Sequence, residues 1–156
     1  MIAGTLIVGI GNRYRGDDAL GCLMADDLRH VARGAAEIIE HDGEPASLID
    51  CWQGRQCVVL IDAVSSAAEA GAIYRIDLGK QGLPDRFRSF STHAFGIAES
   101  VELARVLGKL PPRIVFYGVE GKSFAADTKL SAPVQRAFET LRQEIIDEIG
   151  KEKEDA

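Results

Sequence analysis

The spacing of apolar positions changes along the chain, and the changes mark its elements. Leu6-Ile7-Val8 and Gln56-Cys57-Val58-Val59-Leu60-Ile61-Asp62 are continuous apolar runs, the pattern of strands covered on both faces. Between them Leu20, Leu23, Met24, Leu28 and Val31 recur at helical spacing, with Asp26, Asp27, Arg29 and Arg33 turned outward. This predicts an amphipathic helix of about three to four turns, ended near Gly34. Ala36-Glu37-Ile38-Ile39-Glu40-His41 predicts a second strand closed by Asp42-Gly43, and Glu44-Pro45 opens a short helix through Leu48, Cys51 and Trp52. Ala72-Ile73-Tyr74-Arg75-Ile76-Asp77 alternates apolar with polar after a linker too short for a crossover helix, so it is expected to return antiparallel at an edge.

Residues 80–90 mix Gly82, Pro84, Asp85, Arg86 and Arg88 with Phe87 and Phe90, and predict a mobile surface loop with exposed rings. Ser91 or Thr92 caps a helix carrying Ala98, Val101, Ala104 and Leu107, which Gly108 ends. Pro111-Pro112 separates it from a last strand, Arg113-Ile114-Val115-Phe116-Tyr117-Gly118-Val119. A loop follows to Lys129, and Val134, Phe138, Leu141, Ile145 and Ile149 stripe a long final helix. The order βαβαββαβα predicts an α/β fold: a three-layer α/β/α sandwich around a mostly parallel five-stranded sheet with one antiparallel edge strand. Residues 1–150 are expected to form one domain, with 151–156 a frayed tail.

Composition narrows the function. Of 156 residues 46% are hydrophobic and 27% charged, the balance of a globular domain, and the net charge of −6 argues against a nucleic-acid partner. No apolar run reaches membrane-span length and Met1-Ile2-Ala3-Gly4 lacks a signal peptide's charged start, so no membrane association and a cytoplasmic location are expected. Cys22, Cys51 and Cys57 form no C-x-x-C pair and read as small buried hydrophobes.

The chemistry concentrates after the first strand, in Gly9-Ile10-Gly11-Asn12-Arg13-Tyr14-Arg15-Gly16-Asp17-Asp18. The glycines suggest a dinucleotide loop, but the third follows the second by five residues instead of three. Two carboxylates at a helix start also repel a pyrophosphate. Asp17 is expected to cap the helix, which leaves Asp18 surplus and a candidate ligand or base. Asp62 ends the third strand and His93 precedes a helix, so Asp17/Asp18, Asp62 and His93 point to one sheet edge. One imidazole and two carboxylates from different elements can hold a divalent transition metal with positions left open. Asp42 also follows a strand, where a turn with Gly43 is its ordinary role.

These segments resemble the hydrogenase maturation proteases, endopeptidases that trim the C-terminal extension of the nickel–iron hydrogenase large subunit. The resemblance rests on Gly9-Ile10-Gly11-Asn12 with Gly16-Asp17-Asp18-Ala19-Leu20-Gly21, on Asp42-Gly43, Ile61-Asp62-Ala63, Ser91-Thr92-His93 with Phe95-Gly96, and Gly118-Val119-Glu120. It implies that Asp18, Asp62 and His93 bind metal, namely nickel already loaded into the large-subunit precursor, with other divalent ions able to occupy the isolated site. The protease would thereby check that nickel is in place before cutting. Asp17 matches the motif's other acid and Asp42 a turn where a further functional aspartate is suspected, which makes both candidate catalytic groups. Asp18 stands where several relatives carry glutamate, Ala19 where glycine is common, and Glu44 where many have another glycine.

No Ser-His-Asp or Cys-His set is present, so the expected chemistry is direct attack by water. The metal would hold the precursor and polarise the scissile carbonyl, with an acid among Asp17, Asp18, Asp42 or Asp62 as base. The rival readings are a metal-binding chaperone or scaffold that docks the precursor without cutting it, and a doubly wound nucleotide-binding module.

Overall fold

The computed structural model describes residues 4–87, 92–127 and 129–154, with the side chains of residues 92–95 and 152–154 outside the description. Five strands form one sheet: β1 (Thr5–Ile10), β2 (Glu37–His41), β3 (Cys57–Val64), β4 (Ile73–Asp77) and β5 (Arg113–Glu120). Their order is β2-β1-β3-β5-β4; the first four in that order run parallel and β4 pairs antiparallel with β5 at the edge. The helices are α1 (Leu20–Val31), α2 (Pro45–Cys51), α3 (Thr92–Leu107) and α4 (Ala132–Glu154). The predicted element order and the antiparallel edge are both found.

Two hydrophobic cores flank the sheet. On one face Leu20, Met24 and Leu28 of α1 and Leu141, Ile145 and Ile149 of α4 bury against Ile7, Val59, Ile61 and Val115. On the other, Leu48 of α2 and Ile97, Val101 and Ala104 of α3 bury against Val8, Val58, Leu60 and Phe116. Every residue of β1 and β3 is buried, as their unbroken apolar runs require. Because side chains alternate along a strand, Asp62 shares the α2–α3 face with Leu60 and Val64.

Glycine decides how closely α1 approaches the sheet. A Cβ on Gly21 would stand 2.6 Å from Ile10 N and 2.8 Å from Ile61 O, so this helix crosses β1 and β3 almost backbone to backbone. Glu44 caps α2 by accepting from Ala46 N and Ser47 N, with Pro45 in the first turn.

Three local readings change. Asp17 does not cap α1: residues Gly16–Ala19 form a separate 3-10 turn, Ala19 stands at the helix start without a side-chain cap, and the Asp17 carboxylate is turned towards another loop. Phe87 is not exposed but fully buried, with its ring centroid 4.9 Å from that of Tyr74, because a one-turn helix at Asp85–Phe87 folds it under α3. Arg88 and Phe90 lie outside the described residues. Finally, α4 continues to Glu154, into the stretch expected to fray.

Candidate active site at the carboxyl edge of the sheet

Parallel strands finish on one side of a sheet, and four of the chain's acids stand there. Asp18 lies in the 3-10 turn after β1, Asp42 directly follows β2, Asp62 lies within β3, and Glu120 ends β5. Asp62 is fully buried and Asp18 nearly so, whereas the Asp42 side chain is 82% exposed. His93 falls in the first turn of α3, and its side chain lies outside the described residues. Among the described residues, no three His, Cys, Asp or Glu side chains form a metal-holding group. The donor set that the sequence assembles therefore stands on two buried or nearly buried carboxylates plus a helix start.

That helix start is fixed against the edge. A Cβ on Gly96 would collide with the carbonyl oxygen of Gly43, so the first turn of α3 sits directly on the loop that carries Asp42. Ser100 reinforces the contact, donating from Oγ to Gly96 O at 2.6 Å and to Pro45 O at 3.4 Å. Gly43 itself has φ +87°, which any other residue would resist. Asp42 Oδ1 accepts from Glu44 N at 3.0 Å, the turn role expected of it, and lies 3.5 Å from His41 Nδ1.

The neighbouring acids of the first motif have different environments. Asp18 sits under Gly11, whose φ of +148° and missing side chain leave room for the Asp18 carbonyl. Asn12 N donates to that carbonyl at 3.0 Å. Asp17 is fully buried on the other side of the turn. Its Oδ2 accepts from Lys122 N at 2.7 Å, Ser123 N at 3.1 Å and Ser131 Oγ at 2.8 Å, and its Oδ1 accepts from Ser131 N at 2.7 Å. The expected candidate base is thus bound to the loop between β5 and α4.

Two further polar groups escape a reading of spacing. Glu120 is buried and accepts from Ser66 N at 2.8 Å, from Tyr74 OH at 3.0 Å and from Ser66 Oγ, which holds the chain leaving β3 against β5. Arg13 makes a bidentate pair with Asp26 at 2.8 Å and also contacts Glu40, which fixes the loop after β1 to α1 and β2. That guanidinium holds the Asp26 carboxyl below its ordinary range. Of the two, only Glu120 was marked in the sequence, by its place in Gly118-Val119-Glu120.

Burial pushes the thiols of Cys22 and Cys51 up to about 11, which disfavours the nucleophilic thiolate at both. A concavity of about 420 Å³ lies elsewhere, between β4 and α4, lined by Glu69, Gly71, Ile73, Pro133 and Arg136.

Comparison with known proteins matches the chain to one family. A family profile described as hydrogenase maturation protease covers residues 28–148. The hydrogenase 2 maturation protease of Escherichia coli K12 is 24% identical over 144 residues, spanning 90% of this chain and 87% of its own. The solved structure of the hydrogenase maturating endopeptidase HybD from E. coli superposes with a TM-score of 0.83 at 20% identity, covering 97% of this chain and 94% of that one. The nickel–iron hydrogenase maturation protease HybD from Thermococcus kodakarensis does so with a TM-score of 0.69 at 22% identity, covering 96% and 99%. This chain belongs to the hydrogenase maturation protease family.

Proposed function

We propose that this protein is an endopeptidase that removes the C-terminal extension of a nickel–iron hydrogenase large-subunit precursor once nickel is in place. The observation that carries the reading is the placement at one sheet edge of Asp18, of buried Asp62, and of the helix start bearing His93. Two carboxylates and an imidazole suit a borderline cation such as Ni(II), which arrives as part of the substrate. A site that engages the precursor through its own metal distinguishes loaded from empty substrate without any separate sensor.

Asp42 is the group proposed to act as base. Its exposed carboxylate stands on the Gly43 loop against the α3 start, where a water between it and the bound precursor can be reached. It takes a proton as the water oxygen bonds to the scissile carbonyl carbon. The same proton then passes to the departing amine as the C–N bond breaks. Among the described residues no helix is long and apolar enough to cross a membrane, and action on the precursor in the cytoplasm is part of the same proposal.

The test is to mix the purified protein with nickel-loaded and nickel-free precursor and weigh the products. Loss of a C-terminal peptide from the loaded form alone is expected. Binding of both forms with no cut would replace the protease reading with a docking scaffold.

A further inference from the structure

Asp17 and Asp18 are adjacent in sequence, yet the structure commits the first of them fully. A carboxylate offers about four lone-pair sites, and Asp17 meets four donors: three backbone N–H groups and the Ser131 hydroxyl. Three of these donors fall on Oδ2 and one on Oδ1, and the side chain is fully buried, which closes the carboxylate to solvent water. Among the described residues, these donors all come from the segment between Lys122 and Ser131 that links β5 to α4. The backbone adds to the same seam: Asp17 N donates to Ser123 O at 2.8 Å and Asp127 N to Tyr14 O at 2.8 Å. Gly121 lets the loop lie close, since a Cβ there would stand 3.2 Å from Asp17 Cβ. Ser131 immediately precedes α4, so the carboxylate also rests at the positive end of that helix.

We propose that Asp17 is a positioning residue: its carboxylate ties the turn bearing Asp18 to the β5–α4 loop and so sets where Asp18 stands relative to Asp62 for the nickel-loaded precursor. The inference rests on the protease reading for its consequence, but the tether is measurable without it.

Asp17→Asn replaces one acceptor oxygen by an amide that faces N–H donors, and Ser131→Ala removes one donor while the carboxylate stays. Amide exchange at Lys122, Ser123 and Ser131, cleavage of loaded precursor resolved into KM and kcat, and the pH profile of kcat are the readouts. In Asp17→Asn the three amides should exchange at least tenfold faster and KM should rise about tenfold, while the acidic limb of the profile keeps its position. Ser131→Ala should move KM in the same direction by about threefold, and it carries the test if Asp17→Asn does not fold. An unchanged KM with kcat and the acidic limb lost would make Asp17 the base and overturn the proposal. Unchanged exchange at the three amides would overturn it too. If the wild-type protein cleaves no precursor, the protease reading fails by itself, and the exchange rates alone decide whether the tether exists.

Discussion

Gly21→Ala measures how much of this fold depends on the close crossing of α1 over the sheet. The added Cβ would lie 2.6 Å from Ile10 N and 2.8 Å from Ile61 O, where ordinary contact begins near 3.4 Å. Both obstacles are backbone in buried strands, so no rotamer change relieves them. Ile10 O stands closer still, so the helix must lift by more than about 0.8 Å, which loosens Leu20, Met24 and Leu28 in the core. Overpacking of this kind costs about 1–3 kcal/mol and more where nothing yields. Alanine's better helix propensity returns up to about 1 kcal/mol. With backbone obstacles the cost falls at the upper end of that range, so a net loss of about 2 kcal/mol is expected, a fall in Tm of roughly 4–8 °C for a chain of this size. Gly150→Ala, also inside a helix but with nothing within 4 Å of its Cβ, should raise Tm slightly for the same chemical change. The assay is a thermal melt by circular dichroism of both variants beside wild type. A Gly21→Ala protein melting within 2 °C of the Gly150→Ala protein (about the smallest shift that 1 kcal/mol gives) would refute the steric argument.

Other expectations follow from single contacts. Gly96→Ala should part α3 from the Asp42 loop and cut cleavage of loaded precursor by about 100-fold, the cost of roughly 1 Å of misplacement, while the melt shifts by only a few degrees. Because Arg13 depresses the Asp26 pKa in the folded protein, this pair contributes stability above the ordinary value of 3.8 and loses it as pH falls towards the lowered one. Asp26→Asn should therefore flatten the acid end of the stability curve below about pH 4 in urea titrations, and an unaltered curve would contradict the pairing. With thiols near 11, Cys22 and Cys51 are about one part in a thousand thiolate at pH 8, so alkylation by iodoacetamide should be slow until urea unfolds the chain.

Strands β1 and β3 were legible because burial on both faces favours an unbroken apolar run, as in β3 from Cys57 to Ile61. The antiparallel edge was legible because β4 alternates and its linker cannot hold a crossover. The gathering of acids at one edge followed from strand direction alone. What stayed hidden was the aim of individual side chains. Asp17 looks like a cap in sequence, since capping needs only an acid before a helix, but its four donors come from residues more than a hundred positions away. Phe87 looks exposed among Pro84, Arg86 and Arg88, and is buried by a one-turn helix that no periodicity announces. Glu120 stood inside a recognisable motif, while its partners are Ser66 from the β3–β4 connection and Tyr74 from β4. Local pattern determines elements; long-range contacts determine roles.

The glycines after β1 show the same division, and they carry a last prediction. In a dinucleotide loop, absent side chains leave room for phosphate and unpaired amides point at it. Here the room is taken by the chain itself: a Cβ on Gly9 would run into the Gly21 backbone, and one on Gly11 into the Asp18 carbonyl. The amides are taken as well, Asp17 N by Ser123 O and Asp18 N by Arg15 O. Two carboxylates at the turn add repulsion for any anion. A nucleotide binding only the native state would stabilise it by about 2.7 kcal/mol at a hundred times its Kd. For this protein, NAD or ATP at millimolar concentration should leave Tm unchanged. A rise that grows with nucleotide concentration would mean that the loop opens to admit phosphate, and that its close packing is a property of the unliganded chain alone.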